Sequence, residues 1–321
     1  MEHREKLIVR ASWVSIGGNA LLSVLKIVIG ILAGSLAVVA DGIDSAGDIV
    51  ASFITLLTAF LITRPPNLKY VYGYERADSI ASKLLAFIVF FAGAQLGIST
   101  VERLIAGAIR EMPSVFAIYV TIASIIGKIL LAYYQRLIGK ETGSQMLIAN
   151  SSNMLGDVFI SGAVLFGLFF TFILKMPIFD TITALAVSIW IMFVAFRIFR
   201  ESSMVLMDGV EDAAVYDKVF LAISRVKGAT NPHRTRIRKI GHQYMVTVDI
   251  EVDGDIPVRE AHHLAHFVEE EIRNELVDVY DVMVHTEPVG DDAGNEKFGI
   301  SKDNLEKLKT NKKSRSKKNK H

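Results

Sequence analysis

Six stretches of this chain, at roughly 11–33, 37–63, 79–105, 114–134, 146–172 and 178–199, stay apolar for about the 20 residues that a helix needs to cross a bilayer. No other feature constrains the fold as strongly. In hydrocarbon each backbone N–H and C=O must be satisfied inside the structure, so runs of this length and composition form helices. Composition agrees, with 51% of the 321 residues hydrophobic and a mean hydropathy of +0.37. The first ten residues are charged and the run behind them is long enough to span, so no cleavable signal is expected. Absence of cysteine excludes disulfides and thiolate metal sites.

Basic residues alternate in sidedness along the spans. Arg4, Lys6 and Arg10 precede the first, and Arg64, Lys69 and Arg76 separate the second from the third. Arg136 and Lys140 separate the fourth from the fifth, and Arg197 and Arg200 close the sixth, whereas the opposite loops offer Arg110 and Lys175. The positive-inside rule therefore predicts a multi-pass protein of the cell membrane with both termini in the cytoplasm.

Within this apolar frame, the second span carries Asp41, Asp44 and Asp48, and the fifth carries Asn153 and Asp157. Acids at bilayer depth are costly and face a protein interior or a water-filled path. Asp44 and Asp48 are four apart, as are Asn153 and Asp157, so each pair shares one helix face. Helix capping or a bond to a neighbouring helix would account for a single such acid. Two pairs on two spans predict a cation site of three carboxylates and one amide oxygen. Asp41 and Asp180, near span ends, are read as structural. Lys26 lies deep and needs an anionic partner, while Lys83 and Arg103 can snorkel and Lys128 is grouped with them. Gly30 and Gly34 form a small-xxx-small pair suited to close helix contact.

After Asp208-Gly209 the composition becomes that of a soluble domain. Residues 211–226 have a helical pattern; 235–240 and 244–252 read as strands joined by a short Gly241-His242-Gln243 hairpin. Pro257 opens an amphipathic helix to about 276 that buries Leu264, Phe267, Val268 and Ile272, and 279–285 is a last strand. From about Asp291 the chain is polar and lysine-rich, and disorder is expected. Attraction of this tail to anionic lipid is expected too. The domains are thus 1–10, a cytoplasmic segment; 11–208, six helices; 209–290, a cytoplasmic α+β domain; and 291–321, a basic tail. The fold class is an α-helical polytopic membrane protein with a C-terminal, ferredoxin-like α+β domain resembling metallochaperones.

Gly34-Ser35, Ala40-Asp41, the Asp44/Asp48 and Asn153/Asp157 pairs, Ala261-His262 and His285-Thr286-Glu287-Pro288 together resemble the cation diffusion facilitator family of divalent-metal exporters. The resemblance covers nearly all of the chain except the basic tail. It implies a homodimer that exchanges cytoplasmic metal for external protons by alternating access, with Asp44, Asp48, Asn153 and Asp157 as the transport site. It also carries a second, cytoplasmic metal site to His233, Asp249, His262, His285 and Glu287, and a charge contact to Arg76 and Asp208. His262 and His266 are one turn apart, whereas His242 and His263 are not expected to bind.

Two departures bear on the ion. Zinc-transporting members carry histidine in place of Asp44 or Asn153, whereas this quartet is all oxygen, a donor set that suits manganese better. The loop at 64–76 has Tyr70 and Tyr74 where some relatives place histidines of a further zinc site, so that site is not expected. The expected function is Mn2+ efflux, with Fe2+ and Zn2+ as alternatives and no permanently bound cofactor. Crowded carboxylates would release protons to an arriving cation and regain them when it leaves. The rival reading is a non-transporting metal sensor or assembly protein of the same fold, against which the intact quartet argues. No nucleophile–base constellation or phosphate loop supports an enzyme, and six spans leave no place for a nucleic-acid partner.

Overall fold

The computed structural model describes residues 2–62, 64–106, 111–210, 212–241, 243–290, 298–302 and 304–306. Arg110, His242 and most of the basic tail lie outside the described residues. The chain forms two compact units, one of residues 1–63 and 80–201, the other of 64–79 and 202–321.

The first unit is built from six long helices: α1 (Glu2–Leu32), α2 (Leu36–Ile62), α3 (Ala77–Ile105), α4 (Phe116–Thr142), α5 (Gln145–Ile173) and α6 (Ile178–Leu206). Five of these are long and apolar enough to cross a membrane. The sixth, α2, is the one that holds Asp41, Asp44 and Asp48. Several helices outrun the apolar stretches: α1 extends back to Glu2, α4 on to Thr142 and α6 on to Leu206. Hydropathy marks only the lipid-facing part of a helix, so such extensions carry no apolar signal.

Two tight hairpins organise the bundle, and both use Gly-Ser. Gly34 takes a left-handed φ of +69° that ends α1, and Ser35 Oγ then accepts the Val38 N–H of α2 at 3.2 Å. Gly143, at φ +64°, ends α4, and Ser144 Oγ accepts the Leu147 N–H of α5 at 3.5 Å. A left-handed glycine closing one helix before a serine that caps the next fits both roles. Gly34 is therefore a turn residue, not the close-contact residue the sequence suggests. Gly30 does serve contact, since a Cβ there would lie 2.9 Å from the Val39 backbone nitrogen.

Helix α1 packs on α2 and α4, and α5 packs on α4 and α2, so these four helices enclose a common interior. Small residues permit this: a Cβ on Gly42 would come within 2.6 Å of Ile27 Cγ1. Asp180, in the first turn of α6, has a role beyond its own helix. It accepts Ser35 Oγ–H at 2.5 Å and the Leu36 N–H at 2.8 Å, so it holds the start of α2.

The second unit contains α7 (Ala214–Ser224), β1 (Thr230–Ile240), β2 (Gln243–Val252), α8 (Val258–Glu275) and β3 (Val279–Pro288). The α-β-β-α-β order is the one the sequence predicts. β1 and β2 pair antiparallel through the Gly241 turn, and β3 joins β2 in parallel, giving the order β1-β2-β3. One sheet face supplies Val246, Val248, Ile250 and Val252 to a core with Val219 and Ile223 of α7 and Val268 and Ile272 of α8. Phe267 is a correction: it is 56% exposed, because the buried stripe of α8 runs through Ala265, Val268 and Ile272.

The tail expectation also needs amending. Ile300 forms an antiparallel bridge with Thr235, through hydrogen bonds of 2.9 and 3.1 Å, and Leu305 is 4% exposed. An apolar Ile and Leu within the polar stretch thus return to the domain. Disorder of the remaining tail concerns residues outside those described.

Candidate metal centres

On α2, Asp44 is half-buried and Asp48 exposed at the protein surface; on α5, Asp157 is half-buried and Asn153 exposed. The Asp48 and Asp157 carboxylates face each other at hydrogen-bonding range, and Asp44 lies close enough to interact with both. Asn153 lies one helical turn before Asp157 on the same helix face. All four groups offer oxygen.

Two lysines complete this interior. Lys26 of α1 is fully buried and paired to Asp41 at 2.8 Å, and its Nζ also donates to Ser45 Oγ at 3.2 Å and Ser161 Oγ at 3.0 Å. Ser161 Oγ in turn donates to Asp41. Asp41 is therefore the acid that Lys26 requires.

Lys128 of α4 is a correction. It does not snorkel: its side chain is 1% exposed and its Nζ lies 2.9 Å from Asp157 Oδ2. Its place among the bundle-facing residues of α4, with Thr121, Ser124, Ala132 and Gln135, explains the burial. That stripe was legible in the heptad spacing, but its polar members disguise it. Asp41, Asp44, Asp48 and Asp157 together with Lys26 and Lys128 leave two formal negative charges, the amount that one divalent cation neutralises.

The C-terminal unit gathers a different set. His233, Asp249 and Glu287 bring ligand atoms within 4.8 Å of one another. Strand pairing does part of this: His233 of β1 is opposite Asp249 of β2, which is opposite His285 of β3. His233 Nδ1 lies 2.7 Å from the Asn231 carbonyl, which can only accept, so the ring donates there and turns Nε2 toward Glu287 Oε2 at 3.2 Å. In the neutral ring, Nε2 would present its lone pair beside this carboxylate, a pair of donors that a cation can bridge.

Arg234, which sequence reading did not single out, reaches this cluster in part. Its Nη1 lies 2.7 Å from Asp249 Oδ2 and 3.8 Å from Glu287 Oε1. Neighbours on a regular strand point to opposite faces. Here the β1 register shifts on both sides of His233, and Arg234 has φ +43°, so both side chains reach one cluster. His285 stands at the rim, 61% exposed with Nε2 3.4 Å from Glu287 Oε1. His262 is not brought to this cluster; its ring packs against His266, with centroids 4.5 Å apart on the exposed face of α8. Elsewhere in this unit, Arg76 and Asp208 form an ion pair, both partly exposed.

The model of the cation efflux transmembrane domain matches residues 12–207, and that of the cation efflux protein cytoplasmic domain matches 212–289. The chain is a cation diffusion facilitator. This facilitator is 30% identical over 278 residues to the manganese efflux system protein MneS of Bacillus subtilis, covering 86% of this chain and 94% of that one. It is 31% identical over 289 residues to the magnetosome protein MamB of Magnetospira, covering 89% and 96%. The metal-bound C-terminal domain of the CzcD transporter from Thermotoga maritima is 40% identical, over 24% of this chain and 90% of that domain, with a TM-score of 0.24. All six long helices fall at least partly within the matched transmembrane domain, so this is a multi-pass membrane protein of a divalent-metal efflux family.

Proposed function

We propose that this facilitator exports Mn2+ in exchange for protons, and that Asp44, Asp48, Asn153 and Asp157 are its transport site. The observation that carries the reading is the convergence of three carboxylates from α2 and α5, with an amide one turn away and no histidine among the four. Carboxylate and amide oxygens suit Mn2+, Mg2+ and Ca2+, whereas imidazole suits Zn2+. Raw affinity still favours zinc over manganese, so selection depends on geometry: zinc settles for four ligands, while manganese accepts six with water. The similarity to a manganese efflux protein supports the same ion. The reading also includes alternating access, a homodimer and cytoplasmic termini. His233, Asp249 and Glu287, with His285 at the rim, form the second metal site in the cytoplasmic domain.

Flux in proteoliposomes comparing Mn2+, Fe2+, Zn2+ and Co2+, with internal pH followed in parallel, tests the ion and the exchange. Mn2+ should move most readily and drive opposite proton movement. Binding without flux would instead indicate a sensor. Asn153→His restores a nitrogen donor, so it should gain Zn2+ flux and lose Mn2+ flux. An unchanged preference would separate ion choice from the quartet's ligand type.

A further inference from the structure

Lys128 raises a question that the metal ligands do not answer: why a cation transporter keeps a cation of its own in the path. Its Nζ lies 2.9 Å from Asp157 Oδ2, within a bundle where both Asp44 and Asp48 also feel its charge. A divalent ion bound to that carboxylate would sit roughly 2.0–2.6 Å from its oxygen. Two cations so close in low dielectric repel strongly, so metal and ammonium exclude each other at Asp157. A displaced ammonium needs another acceptor, because a lone charge in the bundle is prohibitively costly.

Ser124 offers one. It is 1% exposed, and its Oγ has no hydrogen-bond partner among the described residues. Buried hydroxyls are almost always bonded, so an orphan needs a reason. Ser124 lies four residues before Lys128 on the bundle-facing stripe of α4, about 6 Å along the axis. Side chains in a helix lean toward its N-terminus, so the lysine stem already overlies the Ser124 turn. Asp157 is 20% exposed, so an incoming ion can reach its carboxylate.

We propose that Lys128 is a built-in counter-cation of the transport site, holding Asp157 while the site is empty and swinging to Ser124 when metal takes that carboxylate. The proposal rests on the reading of Asp157 as a transport ligand. Lys128 weakens metal binding by competition and, on returning to Asp157, helps expel the ion. It is a positioning residue and no metal ligand.

A double-mutant cycle on the full chain in nanodiscs tests it, with equilibrium binding of Mn2+ as the readout. Lys128→Met removes the competitor and should tighten binding about 5- to 150-fold, the usual span of coupling between ligands. Ser124→Ala removes the alternative acceptor; it should weaken binding severalfold in the native background and change nothing when combined with Lys128→Met. Unchanged or weaker binding by Lys128→Met, or an equal effect of Ser124→Ala in both backgrounds, overturns the proposal. Should Lys128→Met fail to fold both with and without Mn2+, Lys128 is a structural partner and the proposal also falls. Asp48→Ala leaves Lys128 and Ser124 in place, so native Mn2+ affinity in that variant would sink the transport-site reading itself, whatever the cycle gives.

Discussion

Two buried lysines in one bundle are held in opposite ways. Lys26 spends its three N–H donors on Asp41, Ser45 and Ser161, and both it and Asp41 are sealed from solvent. Among the described residues Lys128 makes one hydrogen bond, to an aspartate that keeps 20% of its side-chain surface open. A closed, fully satisfied pair stabilises a fold, and a half-satisfied one facing an opening is free to exchange partners. On the proposed reading of Asp157 as a transport ligand, the difference separates the part of the bundle that stays fixed from the part that handles ions.

Breaking the closed pair should have the largest effect. Lys26→Met strands Asp41 in the interior, and removal of one partner of a buried pair costs about 3–5 kcal/mol. Thermal unfolding in detergent should show that loss with and without Mn2+. Stabilisation of this variant by Mn2+ up to the native level would mean that Asp41 belongs to the ion path. A smaller cut sharpens the same contrast: Ser161→Ala removes the hydroxyl shared by Lys26 and Asp41, for about 1.5–3 kcal/mol given its charged partners. Mn2+ affinity should stay native there, and a change beyond twofold would merge the two layers.

Arg76 and Asp208 mark the bottom of the scale, as an ion pair with both side chains well exposed. Arg76→Ala should cost only about 0–1 kcal/mol in thermal unfolding. A loss comparable to that of Ser161→Ala would show that this pair is screened far less than its exposure implies.

Much of this contrast was hidden in the sequence. The six spans, the α-β-β-α-β order and the Asp44/Asp48 and Asn153/Asp157 pairs follow from local periodicity, which one chain segment carries alone. That Lys26 needs an acid follows from burial cost. Its partner could not be read, because the close approach of α1 to α2 at Gly42 decides it. Lys128 was misread for the same reason: whether a lysine near a span end points to water or inward depends on the α4–α5 hairpin set by Gly143 and Ser144. Arg234 required a bulge, and His262 carried a family expectation that the packing of α8 within one chain does not support. Ile300 and Leu305 return to the domain because two apolar side chains outweigh a polar context.

The proposed transport by this chain depends on the α2–α5 carboxylates. Mn2+ flux into proteoliposomes should be measured for the native chain and for Asp48→Ala and Asp157→Ala, each first shown to be folded and inserted. Both substitutions remove a charge and a ligand together, so flux should fall to the level of empty vesicles. Near-native flux from either variant would place the transport site elsewhere.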